Sequence, residues 1–139
     1  NKHEYIKNKQ FFFLIKQRTS LQTNVLGAKN TLELAKKFTK LEAFVHISSI
    51  YANSNLSFIE EKIYQHNVDP KKILNLLEWM EDEWLNLATK KMIAGKPNTL
   101  IYTKWLSETM LEQEAGENFP LVIIRPSTIG AAWKEPFAV

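Results

Sequence analysis

Two groups of small hydroxyl residues, each directly behind a short apolar run, are the positions in this 139-residue sequence best suited to chemistry. Ser48 and Ser49 follow Ala43-Phe44-Val45-His46-Ile47. Pro126, Ser127 and Thr128 follow Leu121-Val122-Ile123-Ile124-Arg125. If both runs are strands of an open parallel sheet, these residues stand beyond its carboxyl ends, where such sheets bind their ligands. Lys104 adds an ammonium that can reach a ribose or lower the pKa of a neighbouring phenol. Each feature also has a plainer meaning: serines behind strands form turns, and helical lysines commonly face solvent.

Other chemistries drop out. Cysteine is absent, which removes disulfides, thiol catalysis and cysteine metal sites and fits an intracellular, reducing setting. His3, His46 and His66 are too scattered for a metal centre, and His46 inside a strand reads as a satisfied core or edge residue. No metal is expected. Asn55-Leu56-Ser57 has the spacing of a glycosylation sequon with no secretory signal ahead of it. Glu60, Glu61, Glu81, Asp82 and Glu83 read as solvated helix faces. Trp79, Trp84, Trp105 and Trp133 read as helix-core packing, with the lining of an acyl tunnel as the alternative.

The elements that must hold these residues follow from spacing. Leu21, Val25, Ala28, Leu32 and Ala35 recur every three or four residues and predict an amphipathic helix over 20–38, with Thr19 and Gln22 at capping-box spacing. A strand is expected at 43–48 and a loop with a short element over 52–68. Asp69-Pro70 offers an N-cap followed by proline at the first helical position, starting a helix over 70–80. Lys90 to Pro97 reads as a linker. A third helix is expected over 98–115, closed by Gly116, and a strand over 121–125 parallel to the first. This alternation is the rhythm of an α/β layered domain.

Charge divides unevenly along the chain. Residues 1–18 hold five bases (Lys2, Lys7, Lys9, Lys16 and Arg18) against Glu4, so the overall +3 leaves the other residues at −1. Residues 1–18 therefore read as a basic tail and 19–139 as the folded part. A basic segment with interleaved aromatics can bind nucleic acid, but a terminal tail explains it more simply, and no nucleic-acid partner is expected. Phe11–Ile15 is the longest apolar stretch, far short of the about 20 residues that a membrane-spanning helix needs.

Several stretches, in order along the chain, resemble one family. They are Asn24-Val25-Leu26-Gly27, Leu41 to Ser49, Val68 to Ile73, Leu77 to Met80, Lys96-Pro97-Asn98-Thr99, Tyr102-Thr103-Lys104, and Val122 to Phe137 with Arg125-Pro126-Ser127-Thr128-Ile129-Gly130 at its centre. Together they look like the alcohol-forming fatty acyl-CoA reductases, extended short-chain dehydrogenase/reductases with a Rossmann domain. The resemblance implies NADPH-dependent reduction of a long-chain acyl-CoA to a fatty alcohol, in a family associated with peroxisomal or endoplasmic reticulum membranes. It implies that Ser49, with Ser48 beside it, bonds the substrate carbonyl, and that Lys104 holds the cofactor ribose. It also implies that Arg125, Pro126 and Ser127 lie along the nicotinamide side, and it matches Asn24 to an asparagine of the helix before the central strand.

The sequence departs from the pattern in three places, one of them its ends, where residues 1–18 do not resemble what should precede the helix and the chain stops at Ala138-Val139. The tyrosine of the Tyr-x-x-x-Lys pair should stand at 100, where this chain has Leu100. Tyr102 is no replacement, because helical residues two apart point about 200° from each other. The only glycines, Gly27, Gly95, Gly116 and Gly130, are unclustered, so the glycine-rich turn that lets a backbone approach a pyrophosphate is missing. The expected fold is thus the second half of a doubly wound Rossmann domain, from a truncated member of the family. Alone it is expected to be inactive, or to serve as an interaction fragment.

Overall fold

The computed structural model describes residues 17–64, 68–93 and 95–130. It opens with a continuous helical rod in three parts: α1 (Gln17–Ser20), a π-helical segment (Leu21–Leu26) and α2 (Gly27–Ala35). The Gly27 amide donates to the Gln22 carbonyl, five residues back, which is the π pattern. Leu21, Val25, Leu32 and Ala35 are buried, as their spacing predicts. The expected capping box at Thr19 does not form. Helix is already established at Gln17, and Ser20 has helical φ −64° and ψ −41° rather than the extended conformation of an N-cap. Gln17 and Arg18, read as part of the tail, therefore belong to this rod, while Phe11–Ile15 lies outside the described residues.

Strand β1 (Phe44–Ile47) pairs in parallel with β2 (Leu121–Ile124), with Phe44 opposite Leu121 and Ile47 opposite Ile124. Both strands are one or two residues shorter than predicted. Between them lie a 3₁₀ turn (Ile50–Asn53), α3 (Pro70–Trp79), α4 (Asp82–Met92) and α5 (Thr99–Ala115). Asp69 caps α3 by accepting from the Lys71 amide at 2.9 Å, with Pro70 at the first position, as predicted. Helix α4 has no counterpart in the sequence reading and corrects the linker, which begins only after Met92. Asp82 and Glu83 in its first turn complement the positive helix start. Gly95, at φ +81°, ends the run in a conformation that side chains disfavour.

Arg18 ties the rod to the α3–α4 junction. Its guanidinium donates to the carbonyls of Leu77 and Met80, the orphan acceptors at the end of α3, and pairs with Asp82 at the start of α4.

Helix α5 is the central element. Asn98 caps it through a bond from the Ile101 amide at 2.9 Å, and Gly116 at φ +80° follows its end. It is buried nearly all round from Thr99 to Leu111, so it lacks the polar stripe of a surface helix. Tyr102, Trp105, Leu106 and Met110 pack with Leu21, Val25 and Ala52 into the core, against which Val68, Ile73, Leu74, Leu77 and Ile93 lie. Trp105 is core, as expected. Trp79 and Trp84 are not: both are exposed, at the open end of α3 and in α4, beside Met80 and Glu81. Trp133 lies outside the described residues.

The sheet alternates. Phe44, His46, Leu121 and Ile123 are half-buried, and His46 reaches Ser107 of α5; Val45, Ile47, Val122 and Ile124 are exposed on the other face. Among the described residues, no helix is long and apolar enough to cross a membrane.

Candidate active site at the strand ends

The ladder runs past the strands. The Ser48 amide donates to Ile124 O at 2.8 Å and the Ile50 amide to Pro126 O at 3.1 Å, so Ser48-Ser49 and Pro126-Ser127 are held side by side at the carboxyl end of the sheet. Ser49 is extended (φ −156°, ψ 144°) and its Oγ accepts from the Tyr51 amide at 3.2 Å, capping the 3₁₀ turn. That bond uses a lone pair and leaves the half-buried hydroxyl its proton to donate. Ser48 is buried, and its Oγ has no partner among the described residues.

Lys104 arrives at the same edge from α5. Its Nζ donates to Ile47 O at 3.0 Å, immediately ahead of the two serines, and burial lowers its pKa from the ordinary lysine value. The ammonium has three donors, and this bond uses one of them. Ser107 steadies the neighbourhood: its hydroxyl donates to Lys104 O at 2.7 Å and lies 3.2 Å from His46 Nε2. His46 is thus a satisfied histidine of the inner sheet face. Burial first, and the Lys104 charge second, lower its pKa.

The remaining sequence candidates fare differently. Asn24 sits in the π segment and donates to Thr103 Oγ1 at 2.9 Å, directly before Lys104. Arg125 is engaged elsewhere: Nε and Nη2 donate to the two carboxylate oxygens of Glu108 at 3.0 and 2.7 Å. The pair is largely buried, and it clasps the end of β2 to α5 one turn beyond Lys104. Arg125 thus has a structural partner at the strand end, beside the Pro126-Ser127 segment that the resemblance sets along the nicotinamide. Ser127 and Thr128 are exposed. Leu100, half-buried, stands one helical turn before Lys104. Tyr102 lies on the core side, with its hydroxyl unpartnered among the described residues and its pKa pushed up to about 12 by burial.

Two groups escaped the sequence reading. Tyr51, two residues after Ser49, places an exposed phenol 3.2 Å from Thr128 Oγ1, so it joins the two loops at the strand ends. Lys96, read as linker, is buried and bonded; only its place in the Lys-Pro-Asn-Thr block hinted at more.

A nicotinamide dinucleotide fits this site in part. Lys104 and Ser49 offer donors suited to the ribose–nicotinamide end. The glycines offer nothing for the pyrophosphate: Gly27 is helical, Gly95 and Gly116 stand at helix ends, and no glycine-rich turn exists among the described residues.

Comparison with known proteins agrees with the sequence resemblance. An NAD-binding domain family described as "Male sterility protein" matches residues 12–138, beginning inside the segment read as a tail. Fatty acyl-CoA reductase 1 of Xenopus laevis is 48% identical over 120 residues, and that of Gallus gallus 49%. Fatty acyl-CoA reductase 2 of Mus musculus is 45% identical over the same length. Each alignment covers 86% of this chain and 23% of the relative, so the chain spans about a quarter of the proteins it matches. No solved structure matches it significantly. With the match running almost end to end, the chain belongs to the male sterility protein family of NAD-binding domains, in the fatty acyl-CoA reductase group.

Proposed function

We propose that this chain is the catalytic-edge portion of a reductase that converts long-chain fatty acyl-CoA to fatty alcohol with NADPH. The convergence of Ser49 and Lys104 at the carboxyl ends of a parallel strand pair carries the reading. Nicotinamide, when bound, would supply the two hydrides that this four-electron reduction needs, with CoA leaving as the thiol after the first. Ser49 donates its hydroxyl proton to the thioester carbonyl, and that hydrogen bond strengthens as negative charge grows on the oxygen. Lys104 holds ribose hydroxyls with the donors left free by Ile47 O, and its charge favours anionic character at the strand ends. Pro126 and Ser127 form the wall opposite the serines.

The same reading extends to the fold and its setting. Purely parallel sheets are covered on both faces, so the exposed Val45, Ile47, Val122 and Ile124 fit a doubly wound domain whose second helical layer comes from elsewhere in the reductase. The setting we infer is intracellular, at a peroxisomal or endoplasmic reticulum membrane, with acyl-CoA as the partner molecule.

A second reading has its own observation. Leu100 has no proton for the nascent alkoxide, and Tyr102 is sealed in the core, so this chain as it stands is a family member without catalysis. Grafting residues 20–137 into an intact homologous reductase separates the two: production with Leu100 in place supports the first reading, and production only with Leu100→Tyr supports the second. Fatty-alcohol production that falls about a hundredfold on Ser49→Ala supports the site. Production indifferent to Ser49→Ala and Lys104→Ala overturns it.

A further inference from the structure

The 3₁₀ turn that follows Ser49 is only four residues long, and such turns have poor internal hydrogen-bond geometry. Its placement therefore depends on anchors outside itself. At its start the ladder bonds of Ser48 and Ile50 hold it to β2. Ala52 packs in the core and the Tyr51 phenol reaches Thr128, while the buried polar anchor at its end is one side chain: Lys96 Nζ donates to Ala52 O at 2.8 Å and to Asn55 Oδ1 at 2.5 Å. The same ammonium lies 5.1 Å from the ring centroid of Trp105, the residue after Lys104.

A lysine that is 8% exposed calls for explanation, since a buried charge is costly unless bonded. A leucine or methionine would fill the space between turn and helix without that cost. What only a cation supplies is two donors toward the turn and attraction to the indole face on the other side. The backbone is suited to hold it there. Gly95 at φ +81° and Pro97 flank Lys96, and Asn98 caps α5 two residues later.

We infer that Lys96 is a positioning residue: a buried cation that fixes the turn carrying Ser49 against the helix carrying Lys104, and so sets the spacing of that pair. The inference rests on the proposed roles of Ser49 and Lys104, and it is tested in two arms so that the two can fail separately. The first arm uses the 139-residue chain and amide hydrogen exchange. Lys96→Met speeds exchange at Ala52, Ser54 and Leu56 by about tenfold or more, from the lost charged hydrogen bonds, and exchange at Leu106–Leu111 by much less. Lys96→Arg, which keeps a cation with several donors, brings most of the protection back. If Lys96→Met fails to fold, Asn55→Ala removes one acceptor, leaves the cation in place and loosens the same amides.

The second arm uses the Leu100→Tyr chimera. There Lys96→Met lowers kcat about tenfold with KM little changed, as misplacement of a catalytic group does, and Lys96→Arg recovers most of it. Unchanged turn exchange overturns the inference. A loosened turn with unchanged kcat also overturns it, reducing Lys96 to a stabilising contact. If the parent chimera is inactive, the proposed function fails, and the exchange arm alone decides whether Lys96 fixes the turn.

Discussion

The two long faces of α5 handle polar groups in opposite ways. Toward the strand ends, Lys104, Ser107 and Glu108 are all partnered, by Ile47 O, His46 and Arg125. Toward the core, Tyr102 buries a hydroxyl with no partner among the described residues, against Leu21, Val25 and Trp105. The first face carries polar groups that tie α5 to the sheet; the second holds an aromatic ring that carries its oxygen as a passenger. A phenol's surroundings therefore depend on the face it occupies, and a shift of two positions along one helix separates the strand-end face from the core.

The strongest way to break this contrast is to move the phenol. In the chimera, Leu100→Tyr places a hydroxyl one turn before Lys104 and raises fatty-alcohol production by about a hundredfold or more. Equal production from the chimeras with and without Leu100→Tyr would mean that another acid supplies the proton. Tyr51, exposed at the strand ends, is then the next residue to change to phenylalanine.

The next test cuts the partnered face. Glu108→Gln leaves the Arg125 guanidinium largely buried with no countercharge, and loss of one member of a buried pair costs about 3–5 kcal/mol. Urea denaturation of the 139-residue chain measures it. A midpoint unchanged within error would show that the clasp between β2 and α5 contributes nothing.

Tyr102→Phe probes the other face with a smaller effect of the opposite sign. Removing a buried hydroxyl that lacks a partner relieves part of a desolvation penalty of about 1–3 kcal/mol, so stability stays level or rises. A clear loss would reveal a hydrogen bond to the phenol and would make the two faces alike.

The smallest effect is that of pH. Burial holds the folded-state His46 below its ordinary value of 6.5, so the unfolded chain binds that proton more tightly. Stability from this group is complete above pH 6.5 and is lost as pH falls from there through the folded value. Thermal melts between about pH 7.5 and 5 should therefore show a shallower decline for His46→Gln than for the parent. Parallel curves would remove His46 from the balance.

Periodicity and caps revealed most of the frame. Asp69-Pro70, Asn98 and Gly116 marked real helix ends, and the two branched apolar runs are the parallel strands. What stayed hidden depends on tertiary contact. Nothing local announces that Arg125 clasps Glu108, because its partner lies 17 residues away on another element. Helix α4 was missed because only Met80 and Glu81 separate it from α3 and its N-cap, Glu81, makes no side-chain capping bond, so no local signal marks its start. Lys96 was hidden in a linker because a lysine between glycine and proline reads as solvated loop.

The π segment gives the opening rod a history as well as a shape. Each residue of an α-helix advances the rotation by about 100°, and a π turn accommodates one residue more than an α turn. Deleting Thr23 would therefore wind Leu21–Leu26 back to ordinary helix and rotate everything ahead of it by that angle. Arg18 would swing off the α3 carbonyls, or Asn24 would leave Thr103; one register cannot satisfy both. The extra residue acts as a phase adjuster, letting one rod keep two appointments that a regular helix would have to choose between.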